Sequence, residues 1–152
     1  MSNLKIKKAE VKDVSLILTF IKELAATVNQ LNMVTASEEK LTASLFADDQ
    51  FVETYLAFID ETPVGYMLFY KTFSTFKSRP GIYLEDLFVS TEFRRRGIGK
   101  AMLEFVIKYA TDNMFHKVEW YVNNKNTKAI TFYDQMGAIR MDYKSIYYIK
   151  TC

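Results

Sequence analysis

The chain has 152 residues, 49% of them hydrophobic and 25% charged, the proportions of one globular domain with its own core. Lys plus Arg number 20 against 18 Asp plus Glu, and a net charge of +2 is too small for a protein that binds nucleic acid by phosphate neutralisation. One cysteine, Cys152, and one histidine, His116, leave no disulfide framework, no metal-ligand spacing and no ordinary Ser-His-Asp or Cys-His site.

In chain order, residues 4–8 alternate as a short strand. The opening segment MSNLKIKKAE lacks the apolar middle of a secretion signal, and no stretch reaches the ~20 apolar residues of a membrane span, so a cytoplasmic protein is expected. Val14, Ile17, Leu18, Ile21 and Leu24 recur at helical spacing over 12–28, with Asp13 as a cap near the start. Thr35 followed by Glu38 reads as a capping box for a second helix through Leu41, Leu45 and Phe46. FVETYLAFID and VGYMLFYKTF, separated by DETP, make an antiparallel hairpin, and IYLEDLFV is a third strand after the polar loop STFKSRPG.

A helix over 98–110 turns Ile98, Met102, Phe105 and Tyr109 to one face, and KVEWYV is a strand. NTKAITFYDQMG is a helix closed by Gly137 at its C′ position, and YKSIYYIK supplies a final strand. The order strand, two helices, three strands, helix, strand, helix, strand predicts a mixed α/β fold in a single domain. Its sheet is antiparallel first and parallel around the central helices.

Arg94, Arg95 and Arg96 stand directly against Gly97, Ile98 and Gly99, where a strand passes into a helix. A helix N-terminus carries unpaired N–H groups and about half a positive charge, so it can seat a phosphate. Glycine lets a pyrophosphate approach the amides, and Arg94, Arg95, Arg96 and Lys100 add cationic donors around the same anion. A solvated arginine-rich turn is the plain alternative. A dinucleotide fingerprint fails because Met102 stands where it needs a third glycine, and a Walker loop fails because Ala101 follows Lys100.

The strand YLEDLFV, the run Arg94 to Gly99, the amphipathic helix after it and NNKNTKAITFYDQMGA together resemble the GNAT superfamily of acetyl-CoA-dependent N-acetyltransferases, over essentially the whole chain. IKELA near residue 21, YLEDLFV, RGIG and the pattern N-x-x-x-I-x-F-Y resemble most closely its spermidine/spermine (diamine) branch. The resemblance implies a centrally splayed β-sheet flanked by helices, with acetyl-CoA as co-substrate and no metal. It puts the pyrophosphate on the amides of residues 95–100. The pantetheine arm then pairs with the backbone of Leu87, Phe88 and Val89 as an added strand would. Asn126, Thr127, Lys128 and Ala129 line the far side of that arm.

Moving an acetyl group from a thioester to an amine needs a base for the ammonium, a donor for the oxyanion and an acid for the thiolate. Glu85 and Asp86 interrupt an apolar strand, and strict alternation sends them to opposite faces, so only one serves the cleft. The resemblance selects Glu85 as base, acting through water, and Tyr133 as acid in contact with the cofactor. Tyr133 follows Asn126 by about two helical turns, hence on the same face. The amides of residues 87–89 are the expected oxyanion donors.

Thr27 and Val28 are the expected substrate-facing residues. Residues 25–37 carry no acid to hold a polycation, so the acceptor stays open among a polyamine, a diamine and an amino-acid-like amine. A protein lysine or N-terminal acetyltransferase and a non-catalytic acyl-CoA sensor are the alternatives. A homodimer with no nucleic-acid or membrane partner is expected.

Overall fold

The structure is a computed structural model describing residues 3–152, so Met1 and Ser2, which open the segment read for a secretion signal, lie outside it. Backbone contacts divide the chain into two units, Met1–Trp120 and Tyr121–Cys152.

The first unit is a five-stranded sheet in the order β1-β2-β3-β4-β5. β1 (Leu4–Lys8), β2 (Val52–Ile59), β3 (Thr62–Ser74) and β4 (Arg79–Val89) are antiparallel neighbours. β5 (Val118–Glu119) joins β4 in parallel, pairing Ile82 with Val118 and Tyr83 with Glu119. The antiparallel-then-parallel expectation is met. The β3–β4 hairpin is longer than predicted, because pairing runs out to Ser74 with Arg79 and leaves only residues 75–78 as a turn.

Three helices accompany the sheet: α1 (Val14–Thr27), α2 (Glu38–Leu45) and α3 (Ile98–Asp112). Ile17 and Phe20 of α1 and Leu45 of α2 join Leu56, Tyr66 and Phe88 in one buried cluster. On α3 the buried residues are Ile98, Met102, Leu103, Val106 and Ala110, while Phe105 and Tyr109 set their rings against Tyr55 and Phe69 at 4.8 and 5.1 Å. The sheet is thus faced by α1 through Tyr66 and Phe88 and by α3 through Phe69.

Two local readings are corrected. The cap of α2 is Ser37, whose hydroxyl accepts from the Lys40 amide at 3.2 Å, and not Thr35. A hydroxyl two residues closer, at the N-cap position itself, makes the Thr35–Glu38 box unnecessary. The predicted strand over 117–122 contracts to Val118–Glu119.

The second unit contains one helix, α4 (Thr127–Gln135), whose chain turns at Gly137 with φ 79°, the left-handed C′ residue that the sequence predicts. The predicted last strand over 143–150 does not form. A strand satisfies its backbone only through a neighbour, and this unit contains no other strand.

Candidate active site

Gly97 caps α3 with φ 76° and ψ 5°, in the left-handed region, and no side chain bonds to this helix start. α2 and α4 are capped by Ser37 and Asn126, and α1 also starts without a side-chain cap, so what sets α3 apart is the left-handed glycine at its start. The first amides of α3, those of Ile98, Gly99 and Lys100, therefore face outward with the positive end of the helix behind them. Arg95 is also left-handed, at φ 59°, so the loop bends twice within three residues.

The arginine triplet divides its labour. Arg94 donates through Nε to the Val89 carbonyl at 2.9 Å and lies over the Phe88 ring. Arg96 donates to the Glu92 carbonyl at 3.2 Å and covers Phe93. Both brace the turn and keep spare N–H donors for an anion. Lys100 is 3.9 Å from Glu104 one helical turn on.

β4 carries the second half of the constellation. Leu68 pairs with Asp86 and Phe69 with Leu84, so Glu85 is an extra residue with no partner on β3. This is a β-bulge, and it changes the parity of the strand. Leu84 lies opposite Phe69 on the α3 face, whereas Asp86 lies opposite Leu68 on the α1 face. Strict alternation would have put Leu84 and Asp86 on one face. Strict alternation along β4 is thus interrupted at Glu85, which is itself the bulged residue, while Asp86 keeps the α1 face.

Glu85 is exposed, and Asp86 is half-buried and accepts from the Tyr66 hydroxyl at 2.6 Å. Partial desolvation first, and the Asp86 charge second, raise the Glu85 carboxyl above its ordinary value. Burial raises Asp86 as well, against the opposing effect of the Tyr66 hydrogen bond. Beyond Tyr83 the outer edge of β4, with Leu87, Phe88 and Val89, has no strand partner in the first unit. An unpaired edge of this kind leaves main-chain groups for a ligand to pair with.

Thr27 lines a cavity of about 450 Å³ together with Glu23, Ala26, Ser90, Thr91 and Glu92. Val28 is not in its wall; it is the exposed C-cap of α1. In the second unit, Asn126 caps α4 by accepting from the Ala129 amide at 3.2 Å, which fixes Thr127, Lys128 and Ala129 as the first turn. Tyr133 sits on the same helix with its hydroxyl pKa raised by burial.

The family model described as "Acetyltransferase (GNAT) family" matches residues 21–138. The chain belongs to the GNAT acetyltransferase family. Thialysine N-epsilon-acetyltransferase of Bos taurus is 34% identical over 146 residues, covering 91% of this chain and 85% of that protein. L-ornithine N5-acetyltransferase of Arabidopsis thaliana is 40% identical over 79 residues, but covers 52% of this chain and 35% of its own. Spermidine/spermine N(1)-acetyltransferase-like protein 1 of Homo sapiens is 27% identical over 91% of this chain and 21% of its own. A soil-metagenome aminoglycoside acetyltransferase, solved in complex with sisomicin, superposes with a TM-score of 0.82 at 20% identity, over 99% of this chain and 97% of that one, and so shares the fold.

Two features of this GNAT acetyltransferase escaped the sequence. Tyr66 is one of 10 tyrosines, and nothing local distinguishes it from core packing. Glu23, Ser90 and Glu92 meet at one cavity only because α1 and the end of β4 converge in space. Among the described residues no three His, Cys, Asp or Glu side chains group as metal ligands, and no helix is long and apolar enough to cross a membrane.

Proposed function

We propose that this acetyltransferase moves the acetyl group of acetyl-CoA to a primary amine of a small molecule, of polyamine, diamine or amino-acid type, by direct attack in a ternary complex. The observation that carries this reading is the start of α3, where a left-handed glycine leaves the helix without a side-chain cap just downstream of the open β4 edge. An uncapped helix start favours a diphosphate, and an unpaired edge favours an amide-bearing arm. Relatives named for thialysine, ornithine and spermidine or spermine support a small amine acceptor. The family match runs from residue 21 to residue 138 and supports one catalytic domain.

In this reading Glu85 takes the ammonium proton through a water molecule, and its raised pKa suits a base working near neutrality. The freed lone pair attacks the thioester carbon, and the amides of residues 87–89 donate to the oxyanion. As the carbon–sulfur bond breaks, Tyr133 donates its hydroxyl proton to the thiolate. Tyr133, whose pKa burial raises above its ordinary value, carries that proton at neutral pH. Arg95, Lys100 and the amides of residues 95–100 hold the pyrophosphate, while Arg94 and Arg96 shape their loop. Asn126 to Ala129 contact the pantetheine arm, and Thr27 and Val28 the acceptor, on the strength of the resemblance. A cytoplasmic homodimer goes with the same reading.

The test is an amine panel with acetyl-CoA and free-thiol detection, comparing spermidine, a diamine, thialysine, ornithine and a lysine peptide. Turnover of one or more of the small amines above the peptide is the expected result. Preference for the peptide would make the chain a protein acetyltransferase, and silence across the panel would favour an acyl-CoA sensor.

A further inference from the structure

Asp86 is unexplained by the reaction as proposed. A carboxylate on the α1 face of β4, held to Tyr66 of the clustered Phe20, Tyr66 and Phe88 rings, is costly to desolvate even in part, and an apolar residue of the same size would pack there without that cost. The structure offsets the cost with one short hydrogen bond, from the Tyr66 hydroxyl at 2.6 Å, and puts the pair immediately beside the bulged Glu85. The fold brings these three groups together from two strands through a register shift between Leu68 and Phe69.

We propose that Tyr66 and Asp86 are a positioning pair for Glu85: the Tyr66 hydroxyl pins the Asp86 carboxylate behind the bulge, which fixes the direction of Glu85 and keeps a negative charge next to it. This inference rests on Glu85 being the base. The pair acts in two ways. Mechanically, a bulge residue has no ladder partner, so its orientation depends on the residue anchored after it. Electrostatically, a like charge next door makes Glu85 a stronger base, adding to the larger effect of partial desolvation, which raises Glu85 in the same direction. The groups facing Asp86 are Tyr66 from β3 and Glu85 along β4, while α1 presents the apolar ring of Phe20 to Tyr66 and Phe88. Arg94, beyond the end of β4, has its guanidinium 5.6 Å from the centre of the Phe88 ring and donates to the Val89 carbonyl.

The experiment is the pH profile of kcat/KM for the best amine of the panel, in the wild type, Asp86→Asn, Tyr66→Phe and Glu85→Gln. Neutralising Asp86 removes the repulsion from Glu85, so the acid limb is expected to move down by about half a pH unit or more in Asp86→Asn. Tyr66→Phe is expected to lower kcat about tenfold while KM for acetyl-CoA stays within about twofold. It carries the test if Asp86→Asn does not fold. An acid limb unmoved in Asp86→Asn, or Tyr66→Phe with wild-type kcat and only a lower melting temperature, overturns the inference while Glu85 stands as base. Wild-type turnover and an unchanged limb in Glu85→Gln remove the base itself, and the pair with it.

Discussion

Gly97 meets two demands at one position. Its φ of 76° excludes a side chain without strain, and its amide neighbours need room for an anion. Gly97→Ala is expected to cost about 1–2 kcal/mol of stability from the backbone alone. Gly97→Glu adds a carboxylate at the positive end of α3, so titration calorimetry should show CoA binding lost altogether. Tyr133 poses a separable question, because an acid for the leaving thiolate acts after binding. Tyr133→Phe should lower kcat about 100-fold and leave the CoA dissociation constant within about twofold. Equal turnover in that variant would remove the acid from the mechanism.

At the scale of the element, β4 depends on how closely β3 can approach it. A Cβ at Gly65 would run into the Phe88 carbonyl, so any side chain there pushes the two strands apart beside the edge proposed for the pantetheine arm. Gly65→Val is expected to cost about 1–3 kcal/mol in denaturant unfolding and to weaken CoA binding as well. A variant with wild-type stability would show that the hairpin yields at this point. Helix ends are decided on the same scale. The hydroxyl closest to the first turn wins, which is why Ser37 and not Thr35 caps α2. In the sequence both positions are hydroxyls ahead of a glutamate-rich turn, and only the backbone conformation of Ser37, at φ −137° and ψ 162°, tells them apart.

For the molecule as a whole, the two raised carboxyls on β4 set a pH dependence of stability. Glu85 and Asp86 both hold their protons more tightly when folded than when unfolded. Their favourable contribution is complete below the ordinary carboxylate range and is lost as pH rises through their folded values. Denaturant midpoints measured from pH 4 upward should therefore show a component falling with pH that is reduced in Asp86→Asn. A component of the opposite sign would mean that charge-stabilising contacts outweigh burial at these groups.

The sequence by itself determined what local physics governs. Apolar periodicity placed α1 and α3, the β2–β3 hairpin and the body of β4. The demand for a bare backbone beside an anion picked out the Gly97-Ile98-Gly99 run at the strand-to-helix junction, and the structure added that Gly97 is left-handed and that no side chain caps the helix there. Pairing between distant segments was decided by the tertiary structure alone. The bulge that gives Glu85 no partner exists only against β3, and the Tyr66–Asp86 bond joins two strands whose register shifts between Leu68 and Phe69. Residues 143–150 have a strand's composition without a strand, because a ladder needs a second chain segment and composition cannot supply one.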